Sequence, residues 1–428
     1  MSIEISPEEK LKSIAYKELV IIALLFAAFV FNTPIIILAA FVAACFLVLT
    51  SSCEHSMYYL AFFTSFSGLF VYRGRHMFFV MAGIILIKFL LSNRVKKKTF
   101  LYYMGIISYS IVFCDINGEF SFAKLISIIL LLVVPLIATS ADKMNCNMFI
   151  KQYIFGFVIA TAIGIFAMDI PAMASLLEKD TIVNDNAIKI TRFVGIAYDS
   201  NFYALSNYTI VAYLLFGFKK LNKFRAFLIL FLIIWGVQTV SKSYFLITIA
   251  LLLIYFIKSV PNLKNLLLSF LVLAVGVWLF IYISGRVGYD VVELVIERFY
   301  EGDNLDITTG RFEIWKDYYE IFSNGNVKQI LFGFGFNASA KKAAHNTFIE
   351  LCYHYGFFGF FLWIPYVIYC AQEFIKNTNT LNHKSTIVLI AFITGIFFLS
   401  SLTYEAAWIG LVISLMMFGK YSKGVNTI

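Results

Sequence analysis

Residues 308–359 read TTGRFEIWKDYYEIF (308–322), SNGNVKQI (323–330), LFGFGFNASAKKAAHN (331–346) and TFIELCYHYGFFG (347–359). They close the longest hydrophilic excursion of the chain, 284–345, and lead directly into an apolar run. That excursion holds nine acidic and seven basic residues among its 62. Because placing this many charged side chains in the hydrocarbon core of a bilayer costs a large free energy, the excursion is predicted to lie outside the membrane. The rest of the chain is organised around this polar segment.

The remaining sequence is too apolar for a soluble globule. Of 428 residues, 61% are hydrophobic and 14% are charged, and the mean hydropathy is +0.84, whereas soluble domains are closer to half apolar. We predict an all-α polytopic membrane protein, one integral membrane domain over 1–428, with about 12–14 transmembrane helices. The candidate spans are 14–31, 34–50, 57–71, 77–92, 100–114, 120–139, 148–169, 200–218, 224–240, 243–257, 265–283, 346–372, 385–401 and 404–419.

The positive charges predict the orientation of these spans. The net charge is +9, but Lys and Arg cluster between apolar runs, as in NRVKKK (93–98) and KKLNKFR (219–225). This pattern follows the positive-inside rule and does not indicate nucleic-acid binding. It places both termini in the cytoplasm and two long loops, 170–200 and 284–345, on the outer side. No removable signal peptide is predicted.

Two further classes are disfavoured by the cysteines and histidines. The six cysteines show no CxxC spacing, so neither a disulfide framework nor a metal site is indicated. Glu350 and His354 share a helix face near His345, but the spacing is not HExxH and no third ligand is evident. We therefore predict no metal and no cofactor.

The main outer loop carries a candidate anion site. The pattern RFEIWKDYYEIF predicts an amphipathic helix, and GYDVVELVIERF (288–299) predicts another. Thr309 can cap the first of these, which places Arg311 in the first turn, where an anion is favoured. Alternatively, Arg311 pairs with Glu313 or Asp317.

His345 is the candidate general base. It follows a basic segment, AKKAAHN, and precedes the next membrane helix, so one side of the imidazole is wet and the other is shielded. An imidazole there can accept a proton near neutral pH. Alternatively, His345 is a structural cap of the helix. Asn346 and Glu350 are possible supporting residues.

Other polar residues are predicted at the same outer face. TRFVGIAYDSNFYA (191–204) supplies Arg192, Asp199 and Asn201; QTVSKSYF (238–245) supplies Lys242; SLTYEAAW (401–408) supplies Glu405. Arg192, Lys242 and Arg311 are then three cations at one interface, a set suited to a diphosphate. Asp199 and Glu405 are further candidate bases.

These segments resemble the O-antigen ligase and O-antigen polymerase superfamily. RFVGIAYDSNFYA is similar to a family element with arginine, glycine and a (D/H)xN tripeptide, and VSKS to its Ser-Arg/Lys element. TGRFEIW, and GFGF followed by HNTFIELCYHYGFFG, match in order and spacing, so the resemblance covers 192–359. Ser200 stands where proline is common. Lys242 stands where arginine is common and offers a point charge in place of a bidentate fork.

The resemblance implies a glycosyltransferase with a GT-C-like bundle and a long helical periplasmic loop in the bacterial inner membrane. It implies an active site facing the periplasm, acting on undecaprenyl-diphosphate-linked oligosaccharides as donor and acceptor, without metal or nucleotide sugar. Membrane lipids and a chain-length regulator are the expected partners. The expected function is O-antigen or capsule polymerase, which the DSN tripeptide favours. The alternatives are an O-antigen ligase acting on lipid A core and a lipid-linked sugar flippase.

Overall fold

The computed structural model describes residues 7–31, 34–68, 71–72, 75–92, 95–113, 122–140, 144–167, 181–183, 189–195, 199–218, 221–259, 300–301, 304–305, 310–336, 342–376 and 383–420. Within these ranges the chain forms mostly helix. The helices are α1 Pro7–Val30, α2 Pro34–Thr50, α3 Cys53–Thr64, α4 Met77–Leu91, α5 Lys97–Phe113, α6 Phe122–Leu131, α7 Val133–Ser140, α8 Cys146–Ala167, α9 Ser200–Phe216, α10 Lys223–Val237, α11 Lys242–Ser259, α12 Arg311–Ser323, α13 Val327–Phe332, α14 Thr347–Lys376, α15 His383–Phe397 and α16 Glu405–Lys420.

Short antiparallel ladders occur between some of the helices. They are β1 Val71–Tyr72 with β2 Arg75–His76, β3 Thr181–Val183 with β4 Lys189–Thr191, and β5 Tyr300–Glu301 with β6 Asn304–Leu305. The registers are Val71 opposite His76, Ile182 opposite Ile190, and Tyr300 opposite Leu305. Both predicted outer loops therefore contain a two-stranded ladder, which the apolar and helical patterns did not indicate.

Three helical stretches in the described residues are long and apolar enough to cross a membrane: 122–140, 146–166 and 347–374. Shorter apolar helices cover Ile35–Thr50, Met77–Leu91, Thr386–Phe397 and Glu405–Met417. The prediction is confirmed to this extent: the chain is helical and carries helices able to span a membrane. The predicted span 265–283 and the predicted amphipathic helix 288–299 lie outside the described residues.

The chain divides into two compact units. One comprises 1–104, 122–179 and 195–198; the other comprises 105–121, 180–194 and 199–428. In the first unit, α3 packs on α8 so closely that a Cβ on Gly156 would lie 2.4 Å from the carbonyl oxygen of Phe62. In the second unit, α9 packs against α10, α11, α15 and α16. Every predicted site residue belongs to this second unit.

Helix α14 is broken at Gly356. This residue has φ 65° and ψ −173°, a conformation reserved almost entirely for glycine. The prediction of one continuous span over 346–372 therefore needs correction. Residues 347–355 form a separate helical segment that leads from the His345 turn to the break.

The GFGF sequence (333–336) docks into this break. The backbone N–H of Phe334 donates to the carbonyl of Tyr353 (2.8 Å), and the hydroxyl of Tyr109 donates to the carbonyl of Tyr355 (2.7 Å). A break leaves such carbonyls without their helical donors, and buried carbonyls need replacements. The ring of Phe334 also stacks on that of Tyr353, with centroids 4.9 Å apart. GFGF is thus the partner of a broken helix as well as a turn.

Candidate functional site

The start of α9 orients one carboxylate of the site. Asp199 is the N-cap of this helix, and its Oδ1 accepts from the backbone N–H groups of Asn201 (2.7 Å) and Phe202 (3.3 Å). An acidic cap satisfies otherwise unpaired N–H groups and is favoured by the helix dipole. Asp199 is half-buried, so its charge acts on the groups around it.

Arg192 is held in a buried hydrogen-bond network. Its Nε donates to the carbonyl of Thr239 (2.7 Å) and its Nη2 donates to Oδ1 of Asn201 (3.1 Å). The hydroxyl of Ser241 donates to the same Oδ1 (3.0 Å). Arg192 is only 4% exposed. The network therefore joins the segment before α9 to the turn before α11, and it gives Arg192 a structural duty whether or not it also binds a diphosphate.

Lys242 follows a strained turn. It is the first residue of α11 and is buried, 6% exposed. Val240, two residues earlier, has φ 48°. Left-handed backbone is costly for a β-branched residue, on the order of 1–3 kcal/mol. Hydrogen bonds to this turn, including the one from Arg192 to Thr239, help to hold it.

His345 also lies in a left-handed turn, with φ 47°. Val240 and His345 are the non-glycine residues with positive φ in the part of the chain that the structure describes. One adjoins a predicted cation and the other is the predicted base. Strain of this kind persists only where the surroundings enforce it, and it clusters at functional sites.

The helix cap at the His345 turn is Asn346. Its Oδ1 accepts from the backbone N–H groups of Phe348 (2.9 Å) and Ile349 (3.1 Å). The alternative in which His345 caps the helix is therefore wrong. Ala344 and Asn346 are each 1% exposed, whereas the His345 side chain is half-buried. The turn thus buries Ala344 and Asn346 and leaves the imidazole of His345 partly accessible.

The electrostatics of the turn keep the imidazole neutral. The pKa of His345 is lowered, first by burial and then by the positive charge of Arg311, while Asp199 acts in the opposite direction. The structure thus brings His345, Arg311 and Asp199 into one electrostatic neighbourhood. A neutral imidazole beside a cation can accept a proton from a hydroxyl, and the cation can stabilise an anion formed nearby.

Arg311 is the first residue of α12, in its first turn as predicted. Gly310 occupies the N-cap position with φ 68°, and a glycine has no side chain with which to cap the helix. Thr309, which was predicted to cap this helix, lies outside the described residues. The guanidinium carbon of Arg311 lies 5.7 Å from the ring centroid of Phe398, close enough for a cation–π contact. Arg311 therefore sits at the positive end of a helix, beside an aromatic face.

Glu405 and its neighbour approach the start of α9. Glu405 is the first residue of α16 and is 3% exposed. The ring of Tyr404 stacks on that of Phe202, with centroids 4.1 Å apart and an interplanar angle of 22°. Because Phe202 is one residue from Asn201, Glu405 belongs to the same region of the second unit. Its predicted role as an alternative base stays a prediction.

Glu350 and His354 lie on the helical segment that precedes the break. Nδ1 of His354 donates to the carbonyl of Gly335 (2.8 Å), so this imidazole serves the docking of GFGF. Among the described residues, no group of three His, Cys, Asp or Glu is placed to hold a metal ion.

Contacts made by backbone atoms and by α12 were not predictable from the sequence. The carbonyl of Thr239 orders Arg192, and a backbone acceptor has no sequence signal. Trp315 and Tyr318 contact the segment before His345. Their spacing in the sequence indicates only that they belong to an amphipathic helix.

No family model, curated protein or solved structure matches this chain. The fold and the site define a helical protein that carries helices able to span a membrane and two strained turns, at Val240 and His345. One turn leads to Lys242, and the other carries His345, whose pKa is lowered by burial and by the charge of Arg311.

Proposed function

We propose that the protein is a glycosyltransferase with a GT-C-like bundle that polymerises undecaprenyl-diphosphate-linked oligosaccharide repeat units into O-antigen or capsular polysaccharide. The reaction occurs at the periplasmic face of the inner membrane. The observation that carries the proposal is the strained turn at His345, an imidazole whose pKa is lowered by burial and then by the charge of Arg311. This is the arrangement required by a reaction that takes a proton from a hydroxyl and releases an anion.

In the proposed reaction, His345 acts as the general base and Arg311 stabilises the leaving group. A hydroxyl of one lipid-linked repeat attacks the anomeric carbon of the growing chain, and the imidazole of His345 takes the hydroxyl proton. The new glycosidic bond forms as the bond from the anomeric carbon to the diphosphate oxygen breaks. Undecaprenyl diphosphate leaves with the bonding electrons, and Arg311 stabilises its charge.

The remaining site residues have supporting roles in this proposal. Lys242 adds positive charge at the start of α11, where the helix dipole also favours an anion. Arg192 orders the turn before Lys242 through Thr239 and, by way of Asn201, through Ser241. Asp199 opposes the effect of Arg311 on the imidazole. No step requires a metal or a nucleotide.

The test is deletion of the gene in its host, followed by gel analysis of surface polysaccharide. A single repeat unit on lipid A core is the expected result, because polymerisation alone is lost. Complete absence of repeat units on the core would point to a ligase or a flippase and would contradict the proposal. Complementation with the His345→Gln variant should leave the single-repeat pattern unchanged, while the wild-type gene restores the ladder.

A further inference from the structure

Helix α12 contacts the chain just before His345 at two points. The indole N–H of Trp315 donates to the carbonyl of Ala344 (2.9 Å), and the hydroxyl of Tyr318 donates to the carbonyl of Lys342 (3.1 Å). Burial, with the nearby Tyr353 and Glu350, raises the pKa of Tyr318 to about 12. Its hydroxyl therefore stays protonated and able to donate. The two bonds secure both ends of the segment 342–344.

The same face of α12 carries Arg311. Positions 311, 315 and 318 are spaced i, i+4 and i+7, so the three side chains lie on one side of the helix. Four residues correspond to an axial rise of about 6 Å. One rigid helix therefore bears the guanidinium and also holds the backbone adjacent to the imidazole.

The face is held in place by aromatic packing. The ring of Trp315 meets that of Phe397 edge to face, with centroids 5.5 Å apart. Tyr318, Phe334, Ala344 and Tyr353 form one buried cluster. The indole is thus fixed by its ring as well as by its N–H, and its N–H is aimed at the residue that precedes the strained His345.

We infer that Trp315 is a positioning residue that sets the separation of Arg311 and His345 and enforces the left-handed turn at His345. This inference rests on the proposed function for its catalytic consequence, although the positioning itself can be measured without turnover. Loss of the indole N–H frees the carbonyl of Ala344, so the turn relaxes toward ordinary backbone angles and His345 moves away from Arg311.

The direct measurement is the reactivity of His345 toward diethyl pyrocarbonate, which acylates neutral imidazole. Modification of the His345 peptide is followed by mass spectrometry across pH in the purified full-length protein. Among the described residues, the charges that act on this imidazole are Arg311 on α12 and Asp199 at the start of α9; Lys342 and Glu350 flank it in sequence. In Trp315→Phe, Arg311 is more distant and the pKa of His345 rises. The pH at which modification reaches half its maximum, called the modification midpoint below, therefore moves to a higher value.

Trp363→Phe is the matched control. It removes the same N–H from a buried indole, and within the described residues that N–H has no hydrogen-bond partner. It should leave the midpoint at the wild-type value. Tyr318→Phe, which deletes only the bond to Lys342, should shift the midpoint in the same direction by less, and it serves if Trp315→Phe does not fold.

The activity arm uses lipid-linked oligosaccharide extracted from host cells that lack the gene. Trp315→Phe should lower kcat about 10- to 100-fold and change KM by no more than about twofold. The acidic side of its pH–rate profile should shift to higher pH together with the modification midpoint. An unchanged midpoint in folded Trp315→Phe, or in Tyr318→Phe if that variant replaces it, overturns the inference. A shifted midpoint in a protein whose wild type forms no polymer upholds the positioning and overturns the proposed function.

Discussion

Replacing Gly356 by alanine should strongly destabilise the second unit. The φ and ψ of this residue lie in a region that is nearly exclusive to glycine, and forcing another residue there costs on the order of 1–3 kcal/mol. A Cβ at Gly356 would also lie 2.4 Å from the backbone N of Gly333 and 2.5 Å from the carbonyl oxygen of Leu331. Backbone atoms cannot rotate away, so the docked segment must shift, at about 1–3 kcal/mol more.

The summed cost is roughly 2–6 kcal/mol, large against the net stability of a folded protein. The assay is thermal unfolding of the detergent-purified protein, followed by tryptophan fluorescence and by recovery of a monodisperse species. Gly356→Ala should unfold at clearly lower temperature, or yield little folded protein.

Two other glycines separate the contributions. Gly310 has φ 68°, but a Cβ added there would meet no atom of the described residues within 4 Å. Gly310→Ala should therefore carry mainly the conformational cost, about 1–2 kcal/mol. Gly105 would place its Cβ 3.9 Å from Cδ1 of Leu362, an ordinary contact, inside α5. Gly105→Ala should be neutral or stabilising, because alanine is the better helix former. Unfolding of Gly356→Ala at the same temperature as Gly105→Ala, rather than below Gly310→Ala, would refute this reasoning.

The other predictions follow from the proposed function and concern turnover of lipid-linked repeats by purified protein. His345→Gln keeps a hydrogen-bonding side chain but cannot take the proton, so it should bind substrate without forming polymer; normal turnover would move the base elsewhere. Because only the neutral imidazole is active and its pKa is lowered, the rate should fall on acidification with a midpoint below about pH 6.5. Arg311→Ala should nearly abolish polymer at unchanged protein level. The acidic side of the pH–rate profile of its residual activity should move to higher pH, because a charge that lowers the pKa of His345 is lost. Asp199→Asn, whose side chain still caps α9, should move the acidic side of the pH–rate profile to lower pH, because a charge that raises the pKa of His345 is lost. Shifts of the same sign in both variants would contradict the electrostatic account.

Most helix positions could be predicted from hydrophobic patterning. The predicted spans 34–50, 77–92 and 200–218 correspond to α2, α4 and α9 within two residues at each end. Apolar runs bounded by polar residues carry this information locally, because each helix satisfies its own backbone and hides its apolar side chains. The cap at Asn346 was also readable, since asparagine is a preferred N-cap residue and histidine is not.

The residues of the candidate site were recognisable singly, but their arrangement was not. Nothing in the sequence indicates that Arg192 bonds to the carbonyl of Thr239, or that Val240 and His345 take left-handed conformations. Both depend on partners far away in the chain. Those partners enforce angles that local preference opposes.

The amino-acid sequence alone determined that the chain is helical, with apolar helices able to span a membrane and a long charged segment, 284–345. Hydropathy and helix periodicity are properties of neighbouring residues, so they can be read locally. Only the tertiary structure decided that α14 breaks at Gly356, that GFGF docks at the break, and that Trp315 of α12 donates to the backbone just before His345. These features depend on unpaired carbonyls and charges meeting across long sequence separations. Packing, rather than local pattern, brings such groups together.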